Sequence, residues 1–516
     1  MDENKITTIY VLLFVVIVFP AVVFPYFFHD SAQTFESLTC LPNAYFSAMG
    51  RPLHGALLCL MNKLIPRIEY FSLYRVVGAV MLGVIASKIH KLLVSCGGKK
   101  HPLSHFLLPI LIVLLPGSLL QVFHYQALPF VLAIYLCVSS VQAYSASESP
   151  KFIGVFLSYF VSCFIYQAST QIIFVLLSVL LFFSYPKDFP TWLLRSLKLM
   201  LVVVSAMVSY FFVHRFLFKH AYLFFDPIKF SMLSLGDHSV DISFANFANI
   251  KFFNFLLEGM FFSSLRLWFP GLVISSGVSL SIVTLLLIVA SVMRSREWVS
   301  SVGGSFWKRF IFTFLLATSC LYGAIFSALL IYPHGGCVGY LRCNWFQSAV
   351  IVVMLVYVLM QIPFGKYQRI FSYAAVVVTM ILIVYELVYF TYVRVLPNYR
   401  EYQFIRQAVV SSASKKPYPR YLVIAPDERR QRANLGVPIA DEFHHTSTCF
   451  NLSFIVRLVL RELTKNDNKD IEIRCFPRCE KPSLYTKQEA DVFLLTHAEK
   501  IKSGEEVVVD FRELYT

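Results

Sequence analysis

Residues 6–28 form an almost unbroken apolar run, and ten more such runs follow along the chain. A helix crossing about 30 Å of hydrocarbon needs about 20 predominantly apolar residues. Within lipid, only helices and closed barrels satisfy their own backbone. The later runs cover approximately 71–93, 104–123, 127–146, 152–168, 170–185, 199–218, 268–293, 309–332, 346–364 and 371–395. They predict an all-α polytopic membrane domain of about eleven transmembrane helices. The fifth and sixth runs are short and divided at Ser169, which predicts a tight helical hairpin. Composition excludes a string of soluble domains: of 516 residues, 57% are hydrophobic and 15% charged. A soluble globule carries about 25% charge.

The net charge of +15 would suggest nucleic acid in a soluble protein. In a multi-spanning protein it is the Lys/Arg excess of cytoplasmic loops. Lys88, Lys91, Lys151, Lys187, Arg294, Lys308 and Arg369 fall at alternate connections, and Lys5 precedes the first span. The opposite turns, near His124 and Ser169, carry no Lys or Arg. The N-terminus is therefore expected in the cytoplasm and the C-terminus outside. The first run exceeds the h-region of a signal peptide and no A-x-A site follows, so it is expected to stay as an anchor.

Three outside segments are longer than turns: 29–70, 219–267 and the tail from 396. The tail is charged and polar. Its short β-like runs YLVIAP (421–426), IEIRCF (471–476) and EVVVDF (506–511) alternate with helical stretches such as 452–463. This pattern predicts a membrane domain over 1–395 and a small α/β domain over 396–516. Cys59, Cys96, Cys137, Cys163 and Cys320 fall with the membrane helices, where thiols behave as small apolar groups. Cys40, Cys337, Cys343, Cys449, Cys475 and Cys479 fall outside. Disulfides, free thiols and metal ligation all remain open for them.

Motifs of soluble enzymes are missing: no P-loop, G-x-G-x-x-G, H-E-x-x-H or G-x-S-x-G occurs. Polar groups at the outer membrane boundary are the remaining candidates. Asp30 directly follows a run of Phe and Tyr, and Glu36 lies six residues on. A carboxylate at an apolar edge is costly to ionise, which moves it toward the range of a working base. It could also simply end the helix in water. Arg51 follows in G-R-P, ahead of an amphipathic segment suited to the interface. Tyr166 and Gln167 stand at the tip of the short hairpin, where an amide between apolar spans needs a partner. In 219–267, Asp226, Asp237 and Asp241 lie among aromatic residues. That composition fits either a sugar-binding surface or an interfacial helix. The tail's adjacent His444 and His445 would point to opposite faces of a strand, so a shared metal ion is not expected.

Several of these features together resemble the bacterial integral-membrane glucosyltransferases that modify O-antigen, the type II serotype-conversion family of the GT-C class. They are Asp30 after the first span, the G-R-P-L tetrapeptide (Gly50–Leu53), Arg75 in LYRVVG and the Y-Q-A-S motif (Tyr166–Ser169), with a small outside domain last. Members of that family often carry two Asp after the first span, whereas this chain has His29-Asp30. The second acid then falls to Glu36 or to a distant Asp.

The resemblance implies an inverting glycosyltransferase in a bacterial inner membrane. It would move a sugar, glucose by the resemblance, from a polyprenyl-phosphate donor to O-antigen or a similar glycan on the periplasmic face. Asp30 would be the general base, assisted by Glu36. Arg51, Arg75 and Arg342 would hold the donor phosphate, since a planar guanidinium grips phosphate oxygens in a bidentate way. Each of these arginines could equally snorkel or lie exposed. Tyr166 and Gln167 would contact substrate. No metal and no cofactor are implied. The rival readings are an O-antigen polymerase or ligase and a lipid-linked-sugar transporter. A transporter would usually show intramembrane charge, and the span centres here are nearly free of it.

Overall fold

The computed structural model describes residues 3–24, 51–64, 71–96, 102–123, 127–146, 152–184, 188–219, 275–331, 341–363, 367–413, 420–424, 472–476 and 487–511, with isolated residues within 265–269 and 452–463. These fall into two compact units. One lies within Met1–Phe19, Cys40–Met61 and Leu73–Leu387, the other within Pro20–Thr39, Asn62–Ser72 and Val388–Thr516.

The first unit is helical. Helix α1 (Glu3–Val23) is followed by α2 (Pro52–Leu64) and α3 (Phe71–Ser95). The Thr7 and Ser87 hydroxyls lie 2.6 Å apart, and a Cβ on Gly83 would fall 2.5 Å from the Val11 Cα. Residue numbers rise along one helix as they fall along the other, so α1 and α3 are antiparallel. Only glycine permits this backbone approach; small residues at helix contacts are the usual means of association in lipid. The Tyr10 hydroxyl donates to the Phe106 carbonyl at 2.9 Å, tying α1 to the next helix.

Helices α4 (Pro102–Val113) and α5 (Pro116–Phe123) meet at a 57° bend. Pro116 causes it: proline has no N–H to continue the ladder, and it disfavours helical backbone at Leu115. Helix α6 (Ala127–Ala146) then packs along α7 (Phe152–Tyr166). Tyr166 leaves helical geometry at φ −157°, ψ 104°, and a 3-10 turn over Gln167–Gln171 leads into α8 (Ile172–Phe183). The turn contains Ser169, where the sequence divides its apolar runs.

Helix α8 is the innermost element, with eleven of twelve residues buried. Around it pack α6, α11 (Phe306–Ile331) and α12 (Leu341–Gln361). Helices α9 (Phe189–Lys219), α10 (Ser276–Val302) and α13 (Gln368–Tyr389) complete the unit. The last turn of α8 is closed by Arg294, a fully buried residue of α10. Its Nε donates to the Leu181 carbonyl at 2.8 Å, and its Nη2 donates to the Ser184 carbonyl. Glu297 takes Nη1 at 2.7 Å and also accepts from the Tyr357 hydroxyl at 2.9 Å. A cation at the negative end of a helix is favourable, and here it is also paired. The sequence assigns Arg294 to a cytoplasmic loop; its side chain instead turns into the bundle.

Leu12, Phe19, Leu157, Leu201, Phe212, Leu285 and Ile381 point outward from these helices. Helices that are apolar outside as well as inside belong in lipid. By length and composition, seven described helices qualify as membrane spans, or eight if the bent pair α4–α5 is one. Phe152–Phe183 enters that set as one stretch, and Trp345–Gln361 is a shorter apolar helix. The chain is therefore polytopic and mostly helical.

In the second unit a π-helical turn (Phe390–Val395) leads to α14 (Leu396–Ala413). Strands β1 (Arg420–Ile424), β2 (Glu472–Phe476) and β3 (Glu506–Asp510) form a parallel sheet in the order β2-β1-β3. They fall on the three runs that the sequence marks as β-like. Helices α15 (Lys487–Thr496) and α16 (Ala498–Lys502) lie between β2 and β3. Ile424 and Ala490 form a small core with Phe476, Leu494 and Val508 against it. At the sheet's edge, the Arg474 guanidinium, with Arg420, holds the exposed Glu472 carboxyl below the usual carboxylate range.

Candidate functional site

Pro52 opens α2, a position that suits its missing N–H and fixed φ. The Arg51 carbonyl accepts from the Gly55 N–H at 3.2 Å, so Arg51 is the helix's N-terminal cap residue. Arg51, His54, Gly55, Leu58 and Met61 make its buried face, at helical spacing. Leu53, Leu60 and Leu64 point outward.

The buried face of α2 meets the end of α7. Arg51 Nε donates to Gln167 Oε1 at 2.5 Å, and its guanidinium carbon lies 4.7 Å from the Tyr166 ring centroid. Gln167 Nε2 donates to the Tyr210 hydroxyl at 2.6 Å, and the Thr170 hydroxyl donates to the Gln167 carbonyl at 2.7 Å. His54 donates through Nδ1 to the Ile165 carbonyl at 3.1 Å. Phe130 packs against Tyr166, and Phe164 meets Tyr210 edge-on at 4.9 Å. Arg51, Tyr166, Gln167 and Tyr210 are all buried. The Gln167 amide and the Tyr166 π-face together orient the Arg51 guanidinium. Such a cradle suits a cation that must meet an anion at a fixed angle.

Three of the candidate site residues thus form one contact set: Arg51, Tyr166 and Gln167. Arg75 is buried as well, on α3, three residues before Gly78. A Cβ on Gly78 would lie 3.2 Å from both Val122 and Ala127, so this face of α3 meets the end of α5 and the start of α6. Asp30 and Glu36 lie outside the described residues. So does the 219–267 segment apart from the Lys219 backbone, Leu265 and Leu267. Arg342 falls in the first turn of α12, with its side chain outside the described residues.

Four features have little or no signal in the sequence. Tyr210 and His54 complete the Arg51 cradle, and their only signal is a polar group at regular spacing on an apolar helix. Cys59, grouped by sequence with the apolar thiols, is disulfide-bonded. Glu386 on α13 is fully buried, and neither carboxylate oxygen has a hydrogen-bond partner among the described residues. It is the one acid in the run 371–395. Among the described residues no three His, Cys, Asp or Glu converge as a metal centre would require.

No protein-family model, no curated protein and no solved structure matches this chain.

Proposed function

We propose that this protein is an inverting glycosyltransferase of a bacterial inner membrane. It takes a sugar, glucose in this reading, from a polyprenyl-phosphate donor and transfers it to O-antigen or a similar surface glycan. The observation that carries the reading is the contact of Arg51 with Tyr166 and Gln167. The two short motifs behind the resemblance, G-R-P-L and Y-Q-A-S, lie 116 residues apart at this contact, yet they meet as one buried group. A donor with a lipid tail cannot leave the bilayer, so its phosphate must be met at the membrane boundary.

In this reading about eleven spans cross the membrane over 1–395, the N-terminus is cytoplasmic, and 396–516 is a periplasmic α/β domain. The Cys59 disulfide supports placing α2 outside, because disulfides persist in oxidising compartments. Asp30 takes the proton of the acceptor hydroxyl as its oxygen attacks the anomeric carbon from the face opposite the phosphate. The bond from that carbon to the phosphate oxygen breaks, and polyprenyl phosphate leaves with added negative charge. Arg51, Arg75 and Arg342 stabilise that charge, the kind of electrostatic contribution that commonly dominates such steps. Glu36 supports the base, and no metal or cofactor enters.

The test is transfer of labelled glucose from glucosyl polyprenyl phosphate to a glycan acceptor by the full chain in nanodiscs. Wild type is expected to transfer and Arg51→Ala to lose most of that transfer. Equal transfer by both would remove Arg51 from the site. One observation favours a second reading: the buried Glu386 is the kind of intramembrane acid that transporters use.

A further inference from the structure

We infer that the buried side chains Ser118, Gln121, Gln171 and Gln347 form the pocket for the uncharged sugar ring of the donor. This rests on the transferase reading above.

All four are fully or almost fully buried. Neither polar atom of any of the three glutamine amides has a hydrogen-bond partner among the described residues, and neither has the Ser118 hydroxyl. A buried amide left unbonded is costly, and native interiors rarely tolerate one. Three in one bundle call for an explanation in terms of what they bind.

The fold packs the elements that carry them against one another. Ser118 and Gln121 are three residues apart on α5 and so share a face. Helix α12 packs against both α4 and α5. Phe182 and Phe183, at the far end of α8, pack their rings against Tyr357 of α12. Helix α12 ends at Gln361, one turn beyond Tyr357, while α8 packs extensively along it. Helix α8 must therefore run back toward Leu341, which carries Gln171 to the level of Gln347. Helix α5 belongs to the same packed group: the 3-10 turn holding Gln171 packs on α6 and α11, α6 on α5, and α11 and α5 on α12.

The chemistry names the ligand. Amides and a hydroxyl offer both donors and acceptors without charge, which matches sugar hydroxyls. Charge lies next door. Arg75 shares its α3 face with Gly78, which abuts Val122, the neighbour of Gln121. A glycosyl phosphate with its phosphate at Arg75 would reach this layer with its sugar.

The experiment uses the full chain in nanodiscs with two probes, glucosyl undecaprenyl phosphate and undecaprenyl phosphate. Gln121→Met, Gln171→Met and Gln347→Met are made singly and together, because Met keeps the length and removes the polarity. Without ligand, each variant is expected to melt at a higher temperature than wild type. Each single change is expected to raise the donor KM by about 2- to 10-fold, the value of one neutral hydrogen bond. The triple variant is expected to be stabilised equally by the two lipids, whereas wild type is stabilised more by the glucosylated one. If the triple fails to reach the membrane, the single variants carry the readout. Variants that keep wild-type KM and the wild-type preference for the glucosylated lipid overturn this inference and leave the transferase reading standing. A wild-type protein that transfers no glucose and responds to neither lipid overturns both.

Discussion

Gln167 holds Arg51 through a 2.5 Å hydrogen bond from Nε, while its other amide atom donates to the Tyr210 hydroxyl. One neutral side chain thus fixes a buried cation on one side and a third helix on the other. Replacing Gln167 with Leu removes the acceptor and leaves the guanidinium's Nε buried without it. Loss of a hydrogen bond to a charged group costs about 1.5–3 kcal/mol. We expect Gln167→Leu to lower the melting temperature and to reduce sugar transfer. Gln167→Glu keeps an acceptor but supplies a counter-charge, so we expect near-normal stability with weakened donor binding. Thermal unfolding and donor KM, measured on the same preparations, separate the two effects.

Gly83 tests the α1–α3 contact. A methyl group there would fall 2.5 Å from the Val11 backbone, which cannot yield as a flexible side chain would. Overpacking of this kind costs about 1–3 kcal/mol. Gly154 is the control, because a Cβ on it meets nothing within 4 Å. Gly83→Ala should destabilise the protein in detergent unfolding, and Gly154→Ala should leave it unchanged or slightly more stable.

Cys59 reports on compartment. As a disulfide it should resist a membrane-impermeant maleimide applied from the periplasmic side, and react from that side once reduced. Cys96, a free thiol beyond the opposite end of α3, should stay unlabelled from the periplasm throughout. Labelling of Cys59 without reduction, or of Cys96 from outside, would contradict the proposed orientation.

Glu386 separates transferase from transporter. In the transferase reading its burial is an energetic cost with no role in sugar transfer. Glu386→Met should then keep transfer within about twofold and raise stability by about 1–3 kcal/mol, the cost of an unsatisfied buried polar group. Abolished function in that variant would favour a proton-linked transporter.

Much of the fold was legible because lipid imposes a length and a polarity on every crossing segment. The division at Ser169 falls within the 3-10 turn, and the three β-like runs of the tail carry β1, β2 and β3. What stayed hidden depends on where side chains turn. Arg294 counts as a loop cation along the chain, yet it bonds the carbonyls at the end of α8. Glu386 lies inside the run 371–395, and nothing in the sequence marks it as wholly enclosed. The Arg51–Gln167 contact joins residues too distant for any local pattern to pair; only the motifs of the resemblance singled out both. Ser118, Gln121, Gln171 and Gln347 carry no signal in the sequence, because sequence does not reveal whether a buried amide has found a partner.

Linkage analysis of the surface glycan tests the central claim most directly, in cells carrying wild type, Asp30→Asn or no copy of this protein. The account predicts an added glucosyl branch with wild type alone, while the Asp30→Asn protein inserts normally and yields the unmodified glycan. A glycan identical in all three, or a branch that persists with Asp30→Asn, would contradict it.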